Sequence, residues 1–148
     1  MLMDTNGDTI LSEDYVSYEV AKMLKEKGFD KPCVCCYKGG NLKTIWDATF
    51  GEVRPQDWNN LSQEEYNCIG LSSWFGCISA PIHQEANRWL RENHHLWIDI
   101  DPLTGCKWTW TVWFMNDPNQ KFGESLQTIS KYEEAEDAAI KYCLENLI

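Results

Sequence analysis

Three groups of residues in this chain have types and spacings that suit chemistry. The first is the stretch DTNGDTILSEDY, Asp4 to Tyr15. An EF-hand calcium loop takes oxygen ligands from its first, third and fifth positions, turns sharply at a glycine in the sixth and closes on a bidentate acid in the twelfth. Asp4, Asn6 and Asp8 supply the opening ligands, but Thr9 stands at the glycine position and Tyr15 at the acid. Inserting one glycine after Asp8 would restore the turn and bring Asp14 to the closing position. The segment Asp4 to Asp14 is therefore read as a polar lead-in to a helix, with calcium as the alternative.

The second group is Cys33, Cys35 and Cys36, which His94 and His95 would complete as a thiolate and imidazole set for zinc. Structural zinc sites usually place two residues between paired cysteines, and the adjacent Cys35 and Cys36 point to opposite faces of a strand. Buried free thiols are the plainer reading, and no cofactor is expected. The third group is aromatic. Trp97 and Trp113 are placed to stack a base, with Arg88 or Arg91 to meet a phosphate where the second helix lies beside a subunit interface. The competing reading covers both tryptophans with the irregular 48–78 segment and pairs both arginines with acids.

Signatures of catalysis are missing: there is no glycine-rich phosphate loop, no G-x-S-x-G elbow and no H-E-x-x-H. Asp99 and Asp101 share a strand face but read as the entry to a turn. His94 and His95 are the best acid-base candidates, and their place after a helix also suits compensation of its dipole. The expectation leans away from an enzyme.

The elements that must carry these residues follow from periodicity. Ser12 is expected to cap a first helix with Glu13 and Asp14 in its first turn, Val16, Val20, Met23 and Leu24 as its apolar stripe and Gly28 as its left-handed stop. CVCCY and LKTIW flank KGGN as a hairpin. Residues 48–78 read as irregular chain, except that Ser62 and Glu65 form a capping box for one or two helical turns. A loop of that length, rich in aromatics, is more often functional or interfacial than a short connector is. A second helix runs from about Pro81 to Asn93, burying Ile82, Ala86, Trp89 and Leu90 and turning His83, Gln84, Asn87, Arg88 and Arg91 to solvent.

LWIDIDPLTGCKWTWTVWFM then gives two strands around DPLTG. Alternation places Leu96, Ile98, Ile100, Trp108, Trp110, Val112 and Phe114 on one face and Trp97, Asp99, Thr109, Thr111 and Trp113 on the other. The second face is too apolar to be plain surface, so another element, a second subunit or a ligand should cover it. A last helix begins with the capping box Ser130 and Glu133 and buries Ala135, Ala139, Tyr142 and Cys143 with help from Ile140, Leu144 and Leu147. This order predicts an α+β fold, with an antiparallel sheet built from hairpins packed against about three helices, in a single domain over 1–148 with 1–11 as a flexible lead-in.

Composition narrows the partners. Thirteen Lys plus Arg against twenty-three Asp plus Glu give a net charge of -10, which argues against a binder of duplex nucleic acid. The opening MLMDTNGDTI lacks a basic and apolar leader, and no run approaches the roughly 18 apolar residues of a membrane helix, so the expectation is a soluble cytoplasmic protein with no membrane partner. Seven scattered cysteines fit a reducing compartment, and eight tryptophans suit half-buried surfaces and interfaces, including those of a homo-oligomer.

Three stretches, YVSYEVAKMLKEKGFDKPC, SAPIHQEANRWLRENH and YEEAEDAAIKYCLENLI, resemble a family of small uncharacterised proteins encoded by gut Bacteroides-type bacteria and their phages. The likeness covers three helices, about a third of the chain, and brings no catalytic residue with it. It implies an accessory or phage gene acting in the cytoplasm of a bacterial host. Together with the surplus aromatics, it leads to the expectation of a non-enzymatic binding protein that sequesters a nucleotide-type immune signal. The alternatives are an acidic inhibitor that binds a host protein and a structural interaction domain.

Overall fold

The computed structural model describes residues 2–3, 9–10, 12–47 and 53–148. The protein is α+β, with two three-stranded antiparallel sheets and four α-helices packed against them among these residues. The chain divides into two compact units, Met1–Pro81 and Ile82–Ile148. Asp4, Asn6 and Asp8 of the calcium-like stretch lie outside the described residues, while β1 (Leu2–Met3) pairs with β2 (Thr9–Ile10).

In the first unit the helix begins later than the sequence suggests. Ser12–Asp14 form one 3-10 turn, and α1 spans Tyr18–Glu26 with Ser17 as its N-cap, accepting a hydrogen bond from the Val20 amide at 3.3 Å. Val16 explains the displacement. Its amide donates to the Pro81 carbonyl at 3.0 Å, and its own carbonyl accepts from the Tyr37 hydroxyl at 2.8 Å. A residue whose two backbone groups are held by distant partners has none left for an intrahelical ladder. The helix stops as expected: Gly28 takes φ 91°, the Phe29 amide reaches Leu24 at 2.9 Å and the Gly28 amide reaches Lys25 at 3.1 Å, which together make a Schellman motif.

The first sheet has the order β4-β3-β5, from β3 (Cys35–Lys38), β4 (Asn41–Thr44) and β5 (Ile78–Ala80). Gly39 and Gly40, both at positive φ, form the two-residue turn between Lys38 and Asn41. The middle segment turns out to build core. Trp58 is 1% exposed, donates its indole N–H to the Cys33 carbonyl at 2.8 Å and packs its ring 6.0 Å from Tyr66 and 5.8 Å from Trp74. Tyr66 lies on α2 (Gln63–Cys68), where Ser62 and Glu65 form both arms of the capping box, and its hydroxyl returns to the Trp58 carbonyl at 2.9 Å. Much of the unit's buried aromatic area therefore comes from chain without regular period, where the polar ends of Trp58 and Tyr66 are tied to backbone.

The second unit holds α3 (His83–His94), then β6 (Leu96–Leu103), β7 (Lys107–Phe114) and β8 (Asp117–Glu124) in that order across one sheet, and α4 (Tyr132–Asn146). Pro81 precedes the N-cap Ile82 and does not open the helix. Three strands replace the two expected, and the turn is Thr104, Gly105 and Cys106, past DPL. Pro102 sits inside β6 opposite Trp108, whose amide and carbonyl both bond Ile129, at 2.8 and 2.9 Å. That pair therefore exchanges no ladder bonds, and the proline ring nitrogen faces the open edge where its missing N–H costs nothing.

Helix α4 packs across β7 and β6, its Ala135 and Ala139 small enough to bring Ile140, Cys143 and Leu144 onto the sheet. It is capped by Lys131 without a side-chain bond, and the expected box from Ser130 does not form. The Ser130 hydroxyl accepts from Lys107 Nζ at 3.1 Å instead, and the helix starts one residue later.

Candidate functional site

The register of β6 and β7 sets Trp97 directly opposite Trp113 and Asp99 opposite Thr111, as alternation predicted. A cleft of about 480 Å³ opens over this face, lined by Trp97, Asp99, Trp113, Phe114 and Met115. Phe114 was assigned to the Leu96 face. Phe114, in register with Leu96 at the end of β7, also lines the cleft, and its ring meets Phe122 at 5.3 Å.

The geometry at the cleft follows from the end of α3. His95 takes the left-handed conformation at φ 57° as C-cap, its carbonyl accepts from the Met115 amide at 2.8 Å, and the chain passes at once into β6. This brings the last turn of α3 beside the strand. The Arg91 guanidinium lies 5.3 Å from the centre of the Trp97 ring, a cation over a π face. Trp97 remains 43% exposed and Met115 48%. The Trp97 indole N–H donates to Asp99 Oδ1 at 2.7 Å, which fixes the ring's orientation and uses one carboxylate oxygen. Among the described residues, Asp99 is the one charged member of the lining. The Trp113 Nε1 is buried without a hydrogen-bond partner among the described residues.

Of the four residues expected at the site, Trp97, Trp113 and Arg91 come together. Arg88 runs along the helix to Glu92, Nε to Oε1 at 3.0 Å, an exposed pair one turn apart. Asp99 was read as a turn entry, yet it lies two residues from Trp97 on the same strand face, a spacing that already places its carboxylate beside the indole.

A second polar cluster was not foreseen. His83 is 4% exposed, and its Nε2 meets Asp137 Oδ1 at 3.1 Å, tying the first turn of α3 to α4. The reading of His83 as a solvent-facing residue is thus corrected: the pairing carboxylate is 54 residues away. Beside it, Glu136 is 6% exposed and accepts from Asn87 Nδ2 at 3.3 Å. Burial raises the Glu136 carboxyl above its ordinary value, with Glu133 adding to the rise while His83, Asn87 and Tyr132 oppose it. Asn87 Oδ1 is buried with no partner among the described residues.

Cys33, Cys35 and Cys36 are buried. Among the described residues no group of three or more His, Cys, Asp or Glu side chains is placed to hold a metal ion. Cys36 shares a hydrogen bond with Cys77, and that bond with burial pushes the Cys36 thiol far up. His94 packs its ring 4.9 Å from Trp89, and Asp101 is exposed opposite Thr109. Among the described residues, no helix is long and apolar enough to cross a membrane.

The chain is thus an α+β protein with an aromatic cluster that includes two tryptophans. Compared with protein families, curated proteins and solved structures, it matches none of them.

Proposed function

We propose that this is a non-enzymatic binding protein that holds a flat, nucleotide-type ligand in the β6–β7 cleft. The observation that carries this reading is the pair of tryptophans set opposite each other across two strands, with Asp99 bonded to the Trp97 indole and Arg91 against Trp97. A flat ring stacks on indole faces with a gain of about 1–3 kcal/mol per base, and a sheet holds those faces rigid before the ligand arrives. Arg91 supplies a positive charge against the Trp97 ring. The resemblance to phage and bacterial accessory proteins gives the binding a use, the sequestration of a nucleotide immune signal of the bacterial host. A thermal-shift screen against cyclic oligonucleotides and ADP-ribose-type signals tests it. A rise in melting temperature that Trp97→Ala abolishes supports the reading, and no shift with any of them rejects it.

The net charge of -10 favours a second reading, an acidic inhibitor that covers a basic surface of a host enzyme. Salt-sensitive capture of one host protein that survives Trp97→Ala would separate it from the first.

A further inference from the structure

The side-chain chemistry of the cleft also selects among flat ligands, if the preceding reading of the cleft as a base-stacking site is accepted. Among the described residues the lining presents one charged hydrogen-bonding group, the Asp99 carboxylate, beside Trp97, Trp113, Phe114 and Met115, and the unpartnered Trp113 N–H is buried beneath the surface. Oδ1 is taken by the Trp97 indole at 2.7 Å, and Oδ2 bears no hydrogen bond among the described residues. A carboxylate accepts and does not donate. A polar edge docked against it is matched only where it presents N–H groups, and an edge with an acceptor facing Asp99 leaves two lone pairs opposed once the ring has displaced the water between them.

We infer that the cleft reads a guanine edge: N1–H and the exocyclic N2 amine face Asp99 while the bicyclic ring lies against Trp97. Adenine presents an acceptor at N1 beside its single amine donor, so half of its edge opposes the carboxylate. A guanidinium also carries adjacent donors, but a cleft of about 480 Å³ is several times the size of that group and falls within the usual range for whole small ligands. The orientation of Asp99 is set before binding by the Trp97 N–H, so the ring that stacks the base also aims the group that reads it.

The test is calorimetric titration of the full chain with GMP, AMP, 1-methyl-GMP and N-acetylarginine amide, followed by Asp99→Asn, with circular dichroism to confirm that the variant folds. GMP is expected to bind at least tenfold more tightly than AMP, with 1-methyl-GMP falling to the level of AMP. Asp99→Asn replaces the free acceptor with an amide, so it should weaken GMP by a similar factor and remove the preference. Equal binding of GMP and AMP overturns the guanine assignment while base stacking stands. Binding of the arginine amide alone, or of no probe, overturns both.

Discussion

His83 Nε2 and Asp137 Oδ1 lie 3.1 Å apart, with side chains 5% and 23% exposed, and they join the start of α3 to the second turn of α4. Removing one member strands the other in a poorly hydrated place, and loss of a partner from a buried polar pair costs about 1–3 kcal/mol. Asp137→Ala should therefore lower the unfolding free energy by that amount in urea titrations. The exposed pair Arg88 and Glu92 serves as the control, since breaking it should cost no more than about 0.5 kcal/mol. Equal losses at the two pairs would show that the buried contact has no special weight.

Glu136 gives the same region a pH dependence of defined sign. Its folded-state pKa is raised above the unfolded value, chiefly by burial. The folded protein therefore holds this proton more tightly than the unfolded chain does. The resulting stability is fully present below the unfolded pKa and is lost as pH rises through the folded one. Glu136→Gln has no proton to lose, and its amide offers a donor to the unpartnered Asn87 Oδ1. Melting curves from acid to neutral pH should show the variant gaining on the natural protein as pH increases and then holding a constant lead. Parallel curves would mean that Glu136 titrates alike in both states.

These contacts also mark what a sequence can and cannot disclose. The faces of β6 and β7 were legible because side-chain direction alternates along a strand whatever the strand packs against, so Trp97 and Trp113 could be paired before any coordinates. Gly28 was legible because a left-handed stop is a local need. Strand β8 was not, since DPNQKFGE carries a proline and only one large apolar residue, Phe122, and it owes its form to pairing with β7. Ser12 and Ser17 are equally good caps in isolation, and the bonds of Val16 to Pro81 and Tyr37 decide between them. The residues by which β8 falls out of step with β7 beyond Val112 likewise have no signature in their neighbours.

Val16 makes the choice of cap testable. Ser17→Ala should destabilise the protein by about 1 kcal/mol, as N-cap losses do, and Ser12→Ala should fall within about 0.5 kcal/mol of no change. The reverse order in chemical denaturation would place the helix start where the sequence alone put it.

Gly123 faces Tyr142 closely enough that an added Cβ would overlap the ring. Tyr142 has little room to yield, because its hydroxyl donates to the Phe122 carbonyl at 3.0 Å and its ring lies 5.0 Å from that of Trp110. Gly123→Ala should cost about 1–3 kcal/mol through overpacking. In the Tyr142→Ala background the same change should cost markedly less, and a double-mutant cycle reads the difference directly. Additive losses would mean that the two residues do not press on each other.

The seven cysteines should separate into two classes under a thiol reagent such as DTNB at neutral pH. Cys68 and Cys106 are exposed, while Cys33, Cys35, Cys36, Cys77 and Cys143 are buried. The thiolate is the reacting species, so access and deprotonation act together. Burial pushes the Cys143 thiol up to about 12, and the hydrogen bond to Cys77 with burial moves Cys36 further in the same direction. The native protein should release two equivalents quickly, with the remaining five appearing at the rate of unfolding and all seven at once in denaturant. Replacing Cys68 and Cys106 with serine should abolish the fast phase without shifting the melting temperature, since neither side chain is in the core. A third fast equivalent that maps to Cys36 or Cys77 would show that the first sheet opens to solvent far more readily than its packing implies.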